Sequence, residues 1–273
     1  MPQLPAGDRI EPQVSEPMAK GTSPALTADD CGLVLDAIAG PDLADPTASR
    51  RPFHYDGAEA PARRFRFGVV PKTLEGCEPA VRDNFERTLE ALRALGSVEE
   101  VELPDLPWEA ITRTILHAEA ASAFEDLIES GGIAALTAPE DHSTPYGRDA
   151  VLAKDYIKAL RLRGVMAREA DRVLARLDAL VAPGRAGVAP ALGQEFRSAI
   201  GGTTNDLMGA IGNGAGLPAV VVPNGFGDRG LPTSVQFMGR AYEENTILAA
   251  ARAYQSRTDW HQRHPGPVSL GGR

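Results

Sequence analysis

The chain has 273 residues, long enough to bury a substantial core as one large domain or two small ones. With 43% hydrophobic and 24% charged residues it falls in the ordinary soluble globular class. The formal charge is −9 and no basic run breaks the balance, which argues against a nucleic-acid groove or an anionic membrane surface as partner.

Residues 1 to 26 are rich in Pro, Gly and charge without periodicity and are expected to form a loose arm. They contain no apolar run of the signal-peptide kind, and nothing in the chain approaches the roughly 18 consecutive apolar residues of a membrane span. Cys31 and Cys77 lie far apart and match no metal-ligand spacing. A reducing, cytoplasmic compartment without a disulfide framework is the expectation.

Order is expected from Thr27, which precedes Asp30 by three residues as a helix cap would. Leu33, Val34, Ala37 and Ile38 then form one apolar stripe, stopped by Gly40-Pro41. After a surface loop, FRFGVV from Phe65 predicts a strand. Val81, Phe85, Leu89, Leu92 and Leu95 predict a helix that Gly96 ends, and Val98 to Leu103 alternates as a strand with one wet face. A crossover of that length makes the two strands parallel.

A helix is expected from Trp108 to about Ser130, followed by a loop containing His142, Pro145 and Gly147. The longest helical pattern runs from about Asp149 to Arg176. LDALVAP, Leu177 to Pro183, passes into a short buried strand, and a looser helix is placed around Phe196 to Ala210. GNGAGLPAVVVPNGFGDRGLPTSVQFMGR, Gly212 to Arg240, predicts a strand pair whose Val run is buried on both faces. A final amphipathic helix covers about Glu243 to Gln255. Helices and strands alternate throughout, so the class is α/β.

Residue chemistry alone assembles no active site. There is no GxSxG elbow, no Ser-Ser pair, and no phosphate-binding GxxxxGK[ST] or GxGxxG loop before a helix. His261 and His264 form an HxxH in a polar tail, which reads as solvated rather than metal-binding. His54 and His142 sit in loops, and the spacing of His117 and Glu119 puts them on different faces of a helix. No metal and no cofactor is expected.

Several stretches together resemble one family. TADDCGLVLDAIAGPDLADPTA, the strand–helix–strand around FGVV, LDALVAP, the Gly212–Arg240 stretch, and AYEENTILAAARAYQSRTDWHQRHP are similar to the amidase signature family, in the family's order. The resemblance covers about 27–265, with 266–273 as a flexible tail. It implies a mixed sheet flanked by helices, and cleavage of carboxylic amides by a Ser nucleophile, a second Ser and a Lys base. The family carries those three groups upstream of the point where the match begins, so a C-terminal portion with an incomplete core and no catalytic residue is expected. Lys154 and Lys158, beside Asp155 and Tyr156, suit a solvated helix face better than a Ser–Lys pair.

The resemblance also implies some substrate-side residues. Glutamine-using members hold the substrate's polar end with an acid ten residues before the Gly of GLP, and Asp206 stands in that position ahead of Gly216. Asn213 matches the family's Asn before GLP. A carboxylate on a helix face and an Asn bonding its own turn are equally open readings. For the whole chain, three readings stand side by side. It is a silent amidase fragment, or a component completed by a separate N-terminal half, or a binding or scaffold protein that reuses the half-fold. Either of the last two, or a homo-oligomer, would cover the open sheet edge that a missing half leaves.

Overall fold

The structure is a computed structural model and describes residues 25–263 apart from 43, 46–47, 58–62, 138–141, 143–150, 192–193 and 195–205. The expected arm, the Pro145–Gly147 loop, most of the looser helix after Phe196, His264 and the tail lie outside the described residues.

Among the described residues, five strands form one mixed sheet. They are β1 (Phe65–Val69), β2 (Gly96–Glu100), β3 (Ala179–Pro183), β4 (Ala219–Phe226) and β5 (Pro232–Met238), in the order β2-β1-β3-β5-β4. β1 pairs in parallel with both β2 and β3, whereas β5 runs antiparallel to β3 and β4. Of the helices, α1 (Ala28–Ile38), α2 (Pro79–Leu95) and α7 (Glu244–Gln255) share one apolar layer with the sheet. Phe67, Phe85, Leu92, Val181, Phe237 and Tyr254 are buried there. The opposite layer is built from α3 (Trp108–Ala123), α5 (Ala153–Leu174) and α6 (Leu207–Ala215), with Ile111, Ile115, Met166, Leu174, Leu180 and Ile211 inside. β3 is buried along its whole length because Val181 feeds one layer and Leu180 the other. This is the expected mixed sheet between helices.

Local chemistry explains the elements. Thr27 caps α1 by accepting a bond from Asp30 N at 3.0 Å, as the sequence suggests. Pro79 opens α2, where a helix has no use for its missing N–H, and Val81, Phe85, Leu89 and Leu92 bury one stripe. β2 begins at Gly96, two residues before the expected start. A Cβ at Gly96 would lie 1.8 Å from Phe65 O, so the absence of a side chain lets α2 turn straight into the strand. The helix expected from Trp108 to Ser130 is broken at Phe124, whose backbone leaves the helical region, and resumes as the short α4 (Glu125–Glu129).

One expectation is corrected, and the direction of one stripe is settled. The stripe on α1 faces outward: Leu33 is 60% and Ile38 70% exposed, with Val34 and Ala37 also exposed. The buried side of α1 carries Ala28 and Gly32 instead. Gly32 accepts the Tyr55 ring so closely that a Cβ would sit 2.4 Å from it, and Gln255 on α7 ties down the start of the helix through Ala28 N at 2.9 Å. Periodicity located the apolar stripe, but small residues at tight contacts decided which side packs inward. The expectation corrected is the Val run, read as buried on both faces. β4 lies at the sheet edge and alternates, with Val220 and Val222 buried and Val221 50% exposed. Among the described residues it therefore has one covered face.

Candidate functional site

Open α/β sheets place ligands beyond the carboxyl ends of their parallel strands. Here the chain leaving β1 forms a 3-10 turn, Pro71–Leu74, and the chain leaving β3 forms the loop Gly184-Arg185-Ala186. Between them lies a cavity of about 40 Å³ lined by Thr73, Cys77, Arg185, Asp206, Met208 and Gln236, with the backbone of residues 183–186 as one wall.

The wall is held in place from several elements. Gly184 N donates to Ser234 O at 2.8 Å, and Gln236 Nε2 on β5 donates to Pro183 O at 3.2 Å. Glu78 grips the same loop twice: its N–H donates to Ala186 O at 2.8 Å, and its Oε2 accepts from Val188 N at 3.3 Å. Thr73 turns its hydroxyl back onto Val70 O at 2.7 Å. The backbone that carries Arg185 is thus fixed by bonds from β5 and from the residue preceding α2.

Asp206 sits immediately before α6, with its carboxylate folded over Gly209, where a Cβ would meet Oδ1 at 2.3 Å. Its side chain opens to solvent on one side, yet the surrounding wall excludes enough water that burial pushes the carboxyl up. Arg185 and then the Gly209 N–H oppose that shift, Glu109 adds to it and Arg113 opposes it. Burial likewise raises the Cys77 thiol, against the opposing charge of Arg82. Cys77 is therefore a protonated thiol at neutral pH and a weak nucleophile.

Of the three residues the sequence singled out, only Asp206 lines the cavity. Asn213 and Gly216 lie at the far end of α6. Gly216 has a left-handed φ of 72°, its N–H reaches Asn213 O at 3.3 Å, and Leu217 N reaches Gly212 O at 2.8 Å. Those two bonds form a Schellman ending, which accounts for glycine at 216 by backbone geometry. The first residues of the stretch read as a strand pair, Gly212 to Ala215, are instead the last turn of α6. Gly212 and Gly214 serve close packing there: a Cβ on Gly214 would lie 2.4 Å from Thr112 Oγ1 and 2.5 Å from Met166 Cε. Arg185 and Gln236 escaped the sequence reading. Arg185 stands two residues beyond the end of β3, after Gly184, and no local pattern marked it.

The other candidates stay apart from this cavity. His54 Nδ1 lies 3.5 Å from Asp36, His142 Nε2 lies 2.8 Å from Leu136 O, and His261 belongs to a 3-10 turn, Trp260–Gln262. Lys154 and Lys158 are exposed on α5. Among the described residues, no group of three or more His, Cys, Asp or Glu side chains gathers at one point, and the cavity is lined by no serine and no lysine. The cavity offers a carboxylate, a guanidinium and a carboxamide, which suit it to hold a small polar group. Among the described residues it has no partnered nucleophile and base.

The sheet order, the cavity at its carboxyl ends and the GLP turn after α6 can now be set beside known proteins. The family model described as Amidase matches residues 19–248. The chain belongs to the amidase family. An amidase from Pseudomonas putida is 31% identical over 256 residues, covering 90% of this chain and 54% of that protein. One subunit of the glutamyl-tRNA(Gln) amidotransferase of Thermosynechococcus vestitus is 30% identical, covering 88% of this chain and 56% of its own. Among solved structures, the same subunit of the Thermotoga maritima enzyme superimposes with a TM-score of 0.68 at 25% identity, over 86% of this chain and 52% of the other. The peptide amidase of Stenotrophomonas maltophilia gives 0.66 at 27% identity, over 88% and 53%. The chain therefore spans about half the length of the amidases it matches. Among the described residues no helix is long and apolar enough to cross a membrane.

Proposed function

We propose that this chain supplies the substrate-side wall of an amidase site and does not turn over amides by itself. The observation that carries the reading is the lining of the cavity. Asp206, Arg185 and Gln236 converge on it, while no Ser–Ser–Lys set lies among the described residues around them. In this reading Asp206 receives a cationic or hydrogen-bond-donating end of a small amide. Arg185 takes an anionic end, and Gln236, fixed on Pro183 O, sets the orientation. Asn213 and Gly216 contribute by ending α6, which keeps its first turn, and with it Asp206, in register with the cavity.

The second reading, a component completed by a separate N-terminal half, is favoured by the matched length of about half of each relative and by the outward apolar stripe of α1. A scaffold or binding role shares the same surface without the chemistry. The free state of both cysteines supports a reducing, cytoplasmic setting.

The test is an amide-hydrolysis assay on the purified chain, paired with NMR titration of L-glutamine and simple carboxamides. No turnover above buffer is expected, with shifts at Asp206, Arg185 and Gln236 that vanish in Asp206→Ala. Turnover that a serine-directed inactivator abolishes would overturn the silent reading. Absence of any shift at the cavity would overturn the assignment of the wall.

A further inference from the structure

Glu78 is the N-cap residue of α2, yet its side chain makes no capping bond to its own helix. N-caps are usually short Ser, Thr, Asn or Asp side chains that fold back onto the first turn. Glu78 reaches away instead. Its Oε2 accepts from Val188 N at 3.3 Å, while its backbone N–H donates to Ala186 O at 2.8 Å. These bonds straddle Gly187, where a Cβ would lie 2.4 Å from Glu78 Oε1. The missing side chain at 187 therefore leaves the room in which the carboxylate sits.

Both ends of this connection are fixed. Pro79 follows Glu78 and sets φ at the first helical residue, and Arg82 N donates to Glu78 O at 3.1 Å. Behind them α2 is anchored by buried Val81, Phe85, Leu89 and Leu92. On the loop side, Gly184 N is bonded to Ser234 O on β5. Arg185 thus stands between one residue tied to β5 and one tied to Glu78. Ala186 lines the cavity, and Glu78 holds it from behind without lining the cavity itself.

We infer that Glu78 is a positioning residue: it aims Arg185 at the cavity and so sets the preference of the wall for an amide with an anionic end. The inference rests on the assignment of Arg185 to that end. The Arg185 side chain is exposed, so the path of its backbone decides where the guanidinium starts from. A guanidinium–carboxylate contact is directional, often bidentate, and is lost when the fork is displaced. The carboxamide end is received by Asp206 and Gln236, which are carried on α6 and β5 rather than on this loop. Releasing Glu78 from Val188 therefore removes selectivity between ligands before it removes binding.

NMR titration of the full chain with succinamate and with succinamide tests it, because the two probes differ only in the anionic end. The native chain should bind succinamate more tightly. Glu78→Ala should weaken succinamate at least about fivefold and leave succinamide within about twofold. Glu78→Gln keeps an oxygen acceptor for Val188 N–H and should restore the preference. Gly187→Ala retains Glu78 but drives its carboxylate off Val188, so it should reproduce the loss, and it serves in place of Glu78→Ala should that variant fail to fold. An equal loss for both probes overturns the inference, since loop support alone would produce it. Glu78→Gln as weak as Glu78→Ala also overturns it, by making the charge and not the bond responsible. A native chain that binds neither probe brings down the wall and this inference together, whereas a native preference that both Glu78→Ala and Gly187→Ala retain brings down the role of Glu78 alone.

Discussion

Asn84 on α2 donates to Thr233 Oγ1 on β5 at 2.8 Å, and Thr233 passes the bond to Asn224 Oδ1 on β4 at 2.7 Å. Asn224 Nδ2 continues to Thr88 Oγ1 at 3.1 Å, which returns to Asn84 O at 2.9 Å, closing a buried ring between one helix and the last two strands. Asn84 Nδ2 also reaches Phe226 O at 3.1 Å, just past the irregular step at Pro223–Gly225, where the chain needs a partner the ladder does not give. Gly225, with φ 154°, passes so close to Asn84 that a Cβ would lie 2.5 Å from its carboxamide. The ring thus sets where the edge strand bends. Asn84→Ala should cost about 1–3 kcal/mol because buried partners are left unsatisfied. In urea denaturation, Asn84→Ala with Thr233→Val should cost less than the sum of the two single changes, since both break the same ring. Strict additivity would show that the ring does not act as a unit.

How much of this was legible in advance depends on the kind of interaction. The cap of α1 at Thr27, the parallel pair β1–β2 and the hairpin β4–β5 followed from local patterns, because capping and periodicity are local. The orientation of α1 was not legible. Leu33, Val34 and Ile38 form the more apolar side, yet Gly32 under the Tyr55 ring and Ala28 on Gln255 fix the opposite side inward. The polar ring around Asn84 joins residues up to 149 positions apart and has no local signature. For the cavity, Asp206 came from resemblance alone. Arg185 and Gln236 became visible only when the sheet order brought the end of β3 beside β5.

Two glycines of α6 should respond differently to the same change. At Gly214 an added Cβ meets Thr112 Oγ1 at 2.4 Å and Met166 Cε at 2.5 Å, inside a packed core layer. Gly214→Ala should cost about 1–3 kcal/mol through overpacking, and Met166→Ala in the same chain should recover part of it. At Gly216 the space is open but φ is 72°. Gly216→Ala should cost about 1–2 kcal/mol from backbone strain, and no core substitution should relieve it. Melting curves of the single and double variants separate the two causes. Rescue of Gly216→Ala by Met166→Ala would contradict the assignment.

Alkaline stability should expose the clasp between α1 and the segment before β1. Burial raises Tyr55 to about 12, helped by its hydrogen bond to Asp29 and that carboxylate's charge, with Arg252 opposing. A raised value means the folded state favours the neutral phenol. Its contribution is fully present below the ordinary value of 10.0 and is lost as pH climbs through about 12. Thermal melts between those limits should fall more steeply for the native chain than for Tyr55→Phe, which has no proton to lose. Parallel curves would show that Tyr55 ionises as freely folded as unfolded.

Asp206 gives the opposite kind of test, a residue of the proposed wall whose neutralisation should strengthen the fold. Burial raises its carboxyl, so the folded chain favours the protonated form, and its ionised form carries a net cost that Arg185 offsets only in part. The favourable contribution of the protonated form is present below the ordinary 3.8 and is lost as pH rises through the raised value. At neutral pH, therefore, Asp206→Asn should melt higher than the native chain, and the advantage should shrink as pH falls toward that ordinary value. Arg185→Gln, which withdraws the opposing charge, should lower the melting temperature at neutral pH, and adding Asp206→Asn should restore it. A carboxylate kept where it weakens the fold is what a binding wall requires, because the ligand then supplies the missing partner. If Asp206→Asn lowers the melting temperature at neutral pH, Asp206 is holding α6 in place and its role in the cavity is structural.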